Sequence, residues 1–104
     1  MIYELRTYEA APGKMPEQHA RFRDDLLPIF ERLEMPVVGL WTYAHGGWSD
    51  RLVYLMRFGD IAERDRKWAA FFADEEWHRI RAEGSLVTRI RSDILAPTDY
   101  SPLP

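Results

Sequence analysis

The chain has 104 residues, 46% of them apolar and 30% charged, with a formal net charge of −3. That balance fits one soluble globular domain over residues 1–104 and argues against a disordered chain or a nucleic-acid platform. The absence of cysteine excludes a disulfide framework, a thiolate metal cluster and a cysteine nucleophile. No apolar run approaches the ~20 residues of a membrane span, and the first residues lack the basic-then-apolar layout of a secretion signal, so a cytoplasmic protein is expected.

The first predicted strand is Ile2–Tyr8, rich in β-branched and aromatic types and ended by the turn signal Ala11-Pro12-Gly13. A helix follows. Met15, His19, Phe22, Leu26, Ile29 and Leu33 recur at spacings of three and four, which is one helical face. Pro28 falls inside this pattern and predicts a kink, since proline lacks the N–H that the helix needs. Val37–Ala44 and Arg51–Phe58 read as two strands joined through Gly46-Gly47. Asp60 and Glu63 have the spacing of a capping box ahead of a helix that carries Trp68, Phe71 and Phe72. Asp74 starts a second short helix, which stops at Gly84. Leu86–Leu95 is the last strand, and a proline-rich tail follows from Pro97.

This order is the ferredoxin-like βαββαβ arrangement of the α+β class, an antiparallel sheet with helices on one face. Its strands do not alternate cleanly between apolar and polar. Leu52, Tyr54, Met56 and Phe58 share one face of the third strand, while Val53 and Leu55 lie on the other. In the second strand Trp41 and Tyr43 oppose Val38 and Leu40. A strand apolar on both faces is covered on both. The helices cover one, so the other is expected to meet a second copy of itself in a homodimer joined through the sheet face. That seam also explains Trp 4, Tyr 5 and Phe 5 in so short a chain.

Three sets of residues are candidates for chemistry. Trp41, Tyr43, Tyr54 and Trp68 line a pocket for a small apolar or aromatic molecule, or else fill the core and the dimer seam. His19, on the apolar stripe of the first helix, is either a satisfied core residue or a general base or axial haem ligand. Charges within strands form the third set. Glu4 and Arg6 share a face, Arg57 opposes Tyr54, and an arginine there is either paired with a carboxylate or anchors an anionic ligand. No pair of histidines has metal-ligand spacing, and no Ser–His–Asp set or nucleotide-binding glycine loop is present, so no metal is expected.

Several blocks, taken together, resemble the NIPSNAP family in its short single-domain bacterial form. They are Tyr3-Glu4-Leu5-Arg6-Thr7-Tyr8, Pro12-Gly13-Lys14, Trp41, Arg57-Phe58 leading to Arg64, Asp74 with Trp77, Ile94-Leu95-Ala96-Pro97-Thr98 and Ser101-Pro102-Leu103. The resemblance covers essentially the whole chain. It implies a dimeric α+β barrel, the fold shared with small cofactor-independent monooxygenases, haem-degrading enzymes and muconolactone isomerases. Any reaction is then expected to be oxygenase- or isomerase-like and to need no cofactor, with haem the one alternative. The competing expectation is a non-catalytic ligand-binding or protein-interaction module. Related sequences often carry a histidine and a tryptophan in the third strand, where this chain has Tyr54 and Met56. A phenol titrating near ~10 cannot serve as a base near neutral pH, but it can donate a hydrogen bond.

Overall fold

In a computed structural model that describes residues 1–104, β1 (Ile2–Ala10) occupies the middle of a four-stranded antiparallel sheet of order β2–β3–β1–β4. Its neighbours are β3 (Arg51–Phe58) and β4 (Val87–Leu95), and β2 (Val37–Trp41) flanks β3 at the far edge. The helices pack on one face. The chain is therefore the α+β, ferredoxin-like arrangement that the order of elements predicts.

The first helical element is continuous but changes its winding. α1 (Met15–Arg21) runs into a π-helical stretch, Phe22–Leu26, and then into α2 (Leu27–Arg32). Pro28 has no N–H to give to a carbonyl four residues back, and its ring crowds that turn. The backbone answers by widening just before it, with Leu27 N–H donating to the carbonyl of Phe22. The kink expected from the sequence is thus a widened turn. It also settles which residues face inward. Gln18, Phe22, Leu26, Ile29 and Phe30 are buried, whereas His19, about 100° further round, is exposed. The expected inward placement of His19 is corrected to Gln18.

The second strand ends earlier than its composition suggests, at Trp41 instead of Ala44. A register shift between Val37 and Gly39 sets Leu40 opposite Tyr54 on the helix side and Trp41 opposite Val53 on the outer side. The Trp41 indole lies across Gly39, where a β-carbon would approach it to 2.7 Å. Beyond Trp41 the chain leaves the sheet through Gly46 and Gly47, both at positive φ, and the Tyr43 ring lies against Gly47. The first strand, by contrast, runs two residues past Tyr8, to Ala10.

Both later helices begin as the sequence predicts. At α3 (Ile61–Phe72) the Asp60 carboxylate accepts from Glu63 N–H at 2.8 Å, and Glu63 accepts in turn from the N–H of Gly59, one residue further back than in a simple capping box. At α4 (Glu75–Arg81) Asp74 accepts from Trp77 N–H at 3.1 Å. The core between helices and sheet is dominated by rings and long side chains: Tyr54, Phe30, Met35, Met56 and Ile80 are almost wholly buried.

The opposite face of the sheet has no helix on it. The C-terminal tail crosses one end, where the Tyr3 hydroxyl donates to the carbonyl of Pro104 and buries the Tyr3 ring. Leu5, Thr7, Val53 and Leu55 on that face are half-buried, and Trp41 and Arg57 stand exposed beside them.

Candidate functional site

The strand period of two places Glu4, Arg6 and Tyr8 side by side on the helix face of β1, beneath α3. Glu4 has no exposed surface, so its charge needs donors. Arg64 of α3 grips it with two bonds, of 3.0 and 2.9 Å. Trp68 Nε1 donates at 2.7 Å, Ser92 Oγ of β4 at 2.6 Å and Arg6 at 2.9 Å. Burial alone would raise the pKa of this carboxylate. The bonds from Arg64, Ser92, Trp68 and Arg6 outweigh it and bring the value down to about 2. Glu4 is therefore a fixed anion that organises its neighbours.

Arg6 is the second member of the network. Its guanidinium carbon lies 4.2 Å from the centre of the Trp68 ring, a cation–π stack. Its Nε donates to the Tyr54 hydroxyl at 2.8 Å, and the Tyr54 hydroxyl donates to the Tyr8 hydroxyl, also at 2.8 Å. Arg6 Nη2 makes a longer contact of 3.4 Å to the same Tyr8 oxygen. Tyr54 is completely buried, and burial, joined by the neighbouring Tyr8, holds its phenol well above the ordinary range. It stays protonated and passes polarisation outward from Arg6 to Tyr8.

Tyr8 and Arg6 form part of the wall of a cleft of about 580 Å³ between β1, β4 and the helices. α1 contributes Gln18 and Arg21. α3 contributes Trp68, Phe71 and Phe72. Trp77 and Arg81 come from α4, and the turn through Gly84 leads into Val87–Ile90 of β4. The aromatic rings are braced against one another, Trp68 stacking on Phe72 at 5.7 Å between centroids and Phe71 against Trp77 at 4.9 Å. Arg21 donates to the carbonyl of Gly84 at 2.8 Å and so ties α1 to the turn before β4. No aspartate or glutamate lines the cleft, while Arg6, Arg21, Arg81 and Arg89 all do. Gln18 is 1% exposed, and its side-chain oxygen has no hydrogen-bond partner in the chain. A buried acceptor left unpaired in this way costs roughly 1–3 kcal/mol unless something at the cleft donates to it.

Of the residues singled out from sequence, Arg6 and Trp68 reach this cleft, and Tyr54 stands directly behind it. His19 and Trp41 lie together on a separate shallow groove with Phe22, Arg23 and Leu40, away from the Glu4–Arg6 network. Tyr43 is 50% exposed beside the outer face of the sheet, and Arg57 is exposed there too, because odd-numbered residues of β3 point away from the helices. No imidazole lines the cleft, and His19 is not placed to ligate a haem within it. Nor do any three acidic, histidine or cysteine side chains cluster as a metal site would require. Tyr8, Gln18, Arg21 and Arg81 are the residues that sequence reasoning missed. Tyr8 was within reach, since it follows Glu4 and Arg6 at the strand period. Gln18 stands four residues before Phe22, a polar residue on an apolar stripe.

The family model for NIPSNAP matches residues 3–102. Protein NipSnap homolog 3B of Mus musculus is 31% identical over 76 residues, which is 73% of this chain but 30% of that protein's length. Among solved structures, a NIPSNAP family protein from Agrobacterium tumefaciens superimposes with a TM-score of 0.89 at 25% identity, covering 99% of this chain and 98% of the other. An uncharacterised NIPSNAP domain protein from Burkholderia xenovorans gives 0.87, also at 25% identity, covering 98% and 99%.

Proposed function

The chain belongs to the NIPSNAP family, and on that premise we propose that it binds a small apolar or aromatic carboxylate in the cleft between sheet and helices and works as a homodimer. The lining of the cleft carries this reading. Its rings offer a flat apolar body to pack against, and its rim offers Arg21 and Arg81, whereas Arg6 is already paired with Glu4 and Arg89 with Glu9. Arg81 forms no ion pair within the chain, and Arg21 reaches a carboxylate oxygen only at 4.0 Å. A ligand carboxylate supplies the missing anion. Dimerisation through the helix-free face of the sheet covers Leu5, Val53, Leu55 and Trp41, which one chain leaves half-buried or exposed.

The catalytic form of this reading is oxygenation or isomerisation of the bound acid without a cofactor; the other form is a module that binds the acid and releases it unchanged. A thermal-shift screen with aromatic carboxylates, quinones and haem tests the binding step. Aromatic carboxylates are expected to raise Tm saturably, since a ligand at a hundred times its Kd stabilises the native state by about 2.7 kcal/mol. Arg81→Ala should weaken the effect. Uniform silence across the carboxylates would sink the reading. Chromatography of the bound ligand after incubation in air then separates the two forms: recovered intact, it identifies a binding module.

A further inference from the structure

Resting on that reading of the cleft, we infer that the Tyr8 hydroxyl is the group that meets a ligand oxygen on which negative charge resides or develops, so the acids that fit best carry a phenolic hydroxyl or an enolisable keto group as well as the carboxylate. Direction is the first observation. Arg6 donates to Tyr54, and Tyr54 donates to Tyr8, each at 2.8 Å. The guanidinium of Arg6 can only donate, and the wholly buried Tyr54 hydroxyl, which already accepts from Arg6, has the Tyr8 oxygen as its one acceptor, so both bonds at Tyr8 are donations to it. The proton of Tyr8 is therefore the one left over, and Tyr8 is part of the wall of the cleft.

The chain starts at a guanidinium, and each donated bond makes the next hydroxyl a stronger donor. A hydroxyl polarised from behind is the arrangement that stabilises an oxyanion without giving up its proton. Tyr8 touches the ligand. Tyr54 and Arg6 act through it and are positioning residues.

Gln18 is the second, independent observation. It lines the same cleft, is 1% exposed, and holds a side-chain oxygen with no partner in the chain. A ligand hydroxyl can donate to that oxygen while accepting from Tyr8, and once it has lost its proton it is met by Tyr8 alone; a bare hydrocarbon can do neither. The rim arginines Arg21 and Arg81 are left for the carboxylate.

Two probes separate this inference from simple acid binding. 4-Hydroxy-3-nitrophenylacetate has a yellow phenolate, and 3-nitrophenylacetate is the same acid without the hydroxyl. Wild-type protein is expected to bind the hydroxylated probe about tenfold more tightly and to raise the phenolate absorbance at neutral pH. Tyr8→Phe should abolish both effects, so that the two probes bind with equal affinity. Tyr54→Phe, which breaks the chain behind an intact Tyr8, should reduce the preference several-fold, and it carries the test alone if Tyr8→Phe fails to fold. Equal affinity of wild type for the two probes, or a preference that survives in the folded variant, overturns the inference while the acid-binding reading stands. If neither probe binds to wild type, both readings fall.

Discussion

Glu4 has no contact with water, and five hydrogen bonds from four residues converge on its two oxygens. Its pKa of about 2 in the folded protein lies below the 4.5 of an ordinary glutamate. A depressed carboxylate stabilises the fold above its unfolded pKa, and that stabilisation is lost as pH falls through the folded one. The contribution, on the order of 3 kcal/mol from a shift of this size, is expected to be complete at pH 6 and to disappear between about pH 5 and pH 2. Urea denaturation followed at each pH measures it; Glu4→Gln should flatten this acid limb. At pH 7 the same substitution leaves Arg6 and Arg64 facing a neutral amide and is expected to cost roughly 3–5 kcal/mol, as for other broken buried ion pairs. A loss under 1 kcal/mol would mean that the network is not holding the sheet to α3.

At the scale of elements, the π-helical stretch determines which side chains α1 turns inward, and with them the wall of the cleft. Gln18 and Phe22 lie on the buried stripe, and His19 does not. His19→Ala is therefore expected to change stability by no more than about 0.5 kcal/mol and to leave ligand binding intact, which a paired thermal-melt and binding titration would show. α3 and α4 depend on their caps. Asp60→Ala should cost about 1 kcal/mol, and Asp74→Ala at least as much, because Asp74 also accepts from Arg32 at 2.8 Å. Midpoints of chemical denaturation for the two variants decide this. Gly84 matters for a different reason: its φ of 113° belongs to glycine, although a β-carbon there would touch nothing. Its carbonyl is the point at which Arg21 closes one end of the cleft.

For the whole molecule, the controlling fact is that one sheet has two apolar faces and a single layer of helices. The uncovered face presents Leu5, Val53 and Leu55 within a rim that includes Glu9, Arg51, Arg91 and Asp93. The proposed association through it is expected to give a particle of twice 12.3 kDa in light scattering or sedimentation. Leu55→Arg places a charge in that seam and is expected to yield monomers with an unchanged fold, because Leu55 points away from the core. A wild-type chain that remains at 12.3 kDa at micromolar concentration contradicts the dimer. Nothing in the cleft itself requires the partner: Arg6, Tyr8, Gln18 and Trp68 all come from one chain.

The sequence by itself determined the order of elements, the caps at Asp60 and Asp74, and the shared face of Glu4 and Arg6. Each depends on residues a few positions apart, where strand and helix periods are decisive. It also made the pairing of Glu4 with Arg6 legible, because a carboxylate and a guanidinium two residues apart on a covered strand have little alternative. Only the tertiary structure decided the cleft. Gln18, Arg81 and Tyr8 come from three elements that are unrelated in sequence, and their meeting depends on a π turn before Pro28 and on the space between β4 and the helices. The aromatic residues divided the same way. Periodicity identified them as apolar, but a register shift in β2 sent Trp41 to the outer face, and helix packing brought Trp68 and Phe72 to the cleft. A face that depends on a one-residue slip cannot be read from alternation alone, since the slip turns every later side chain over.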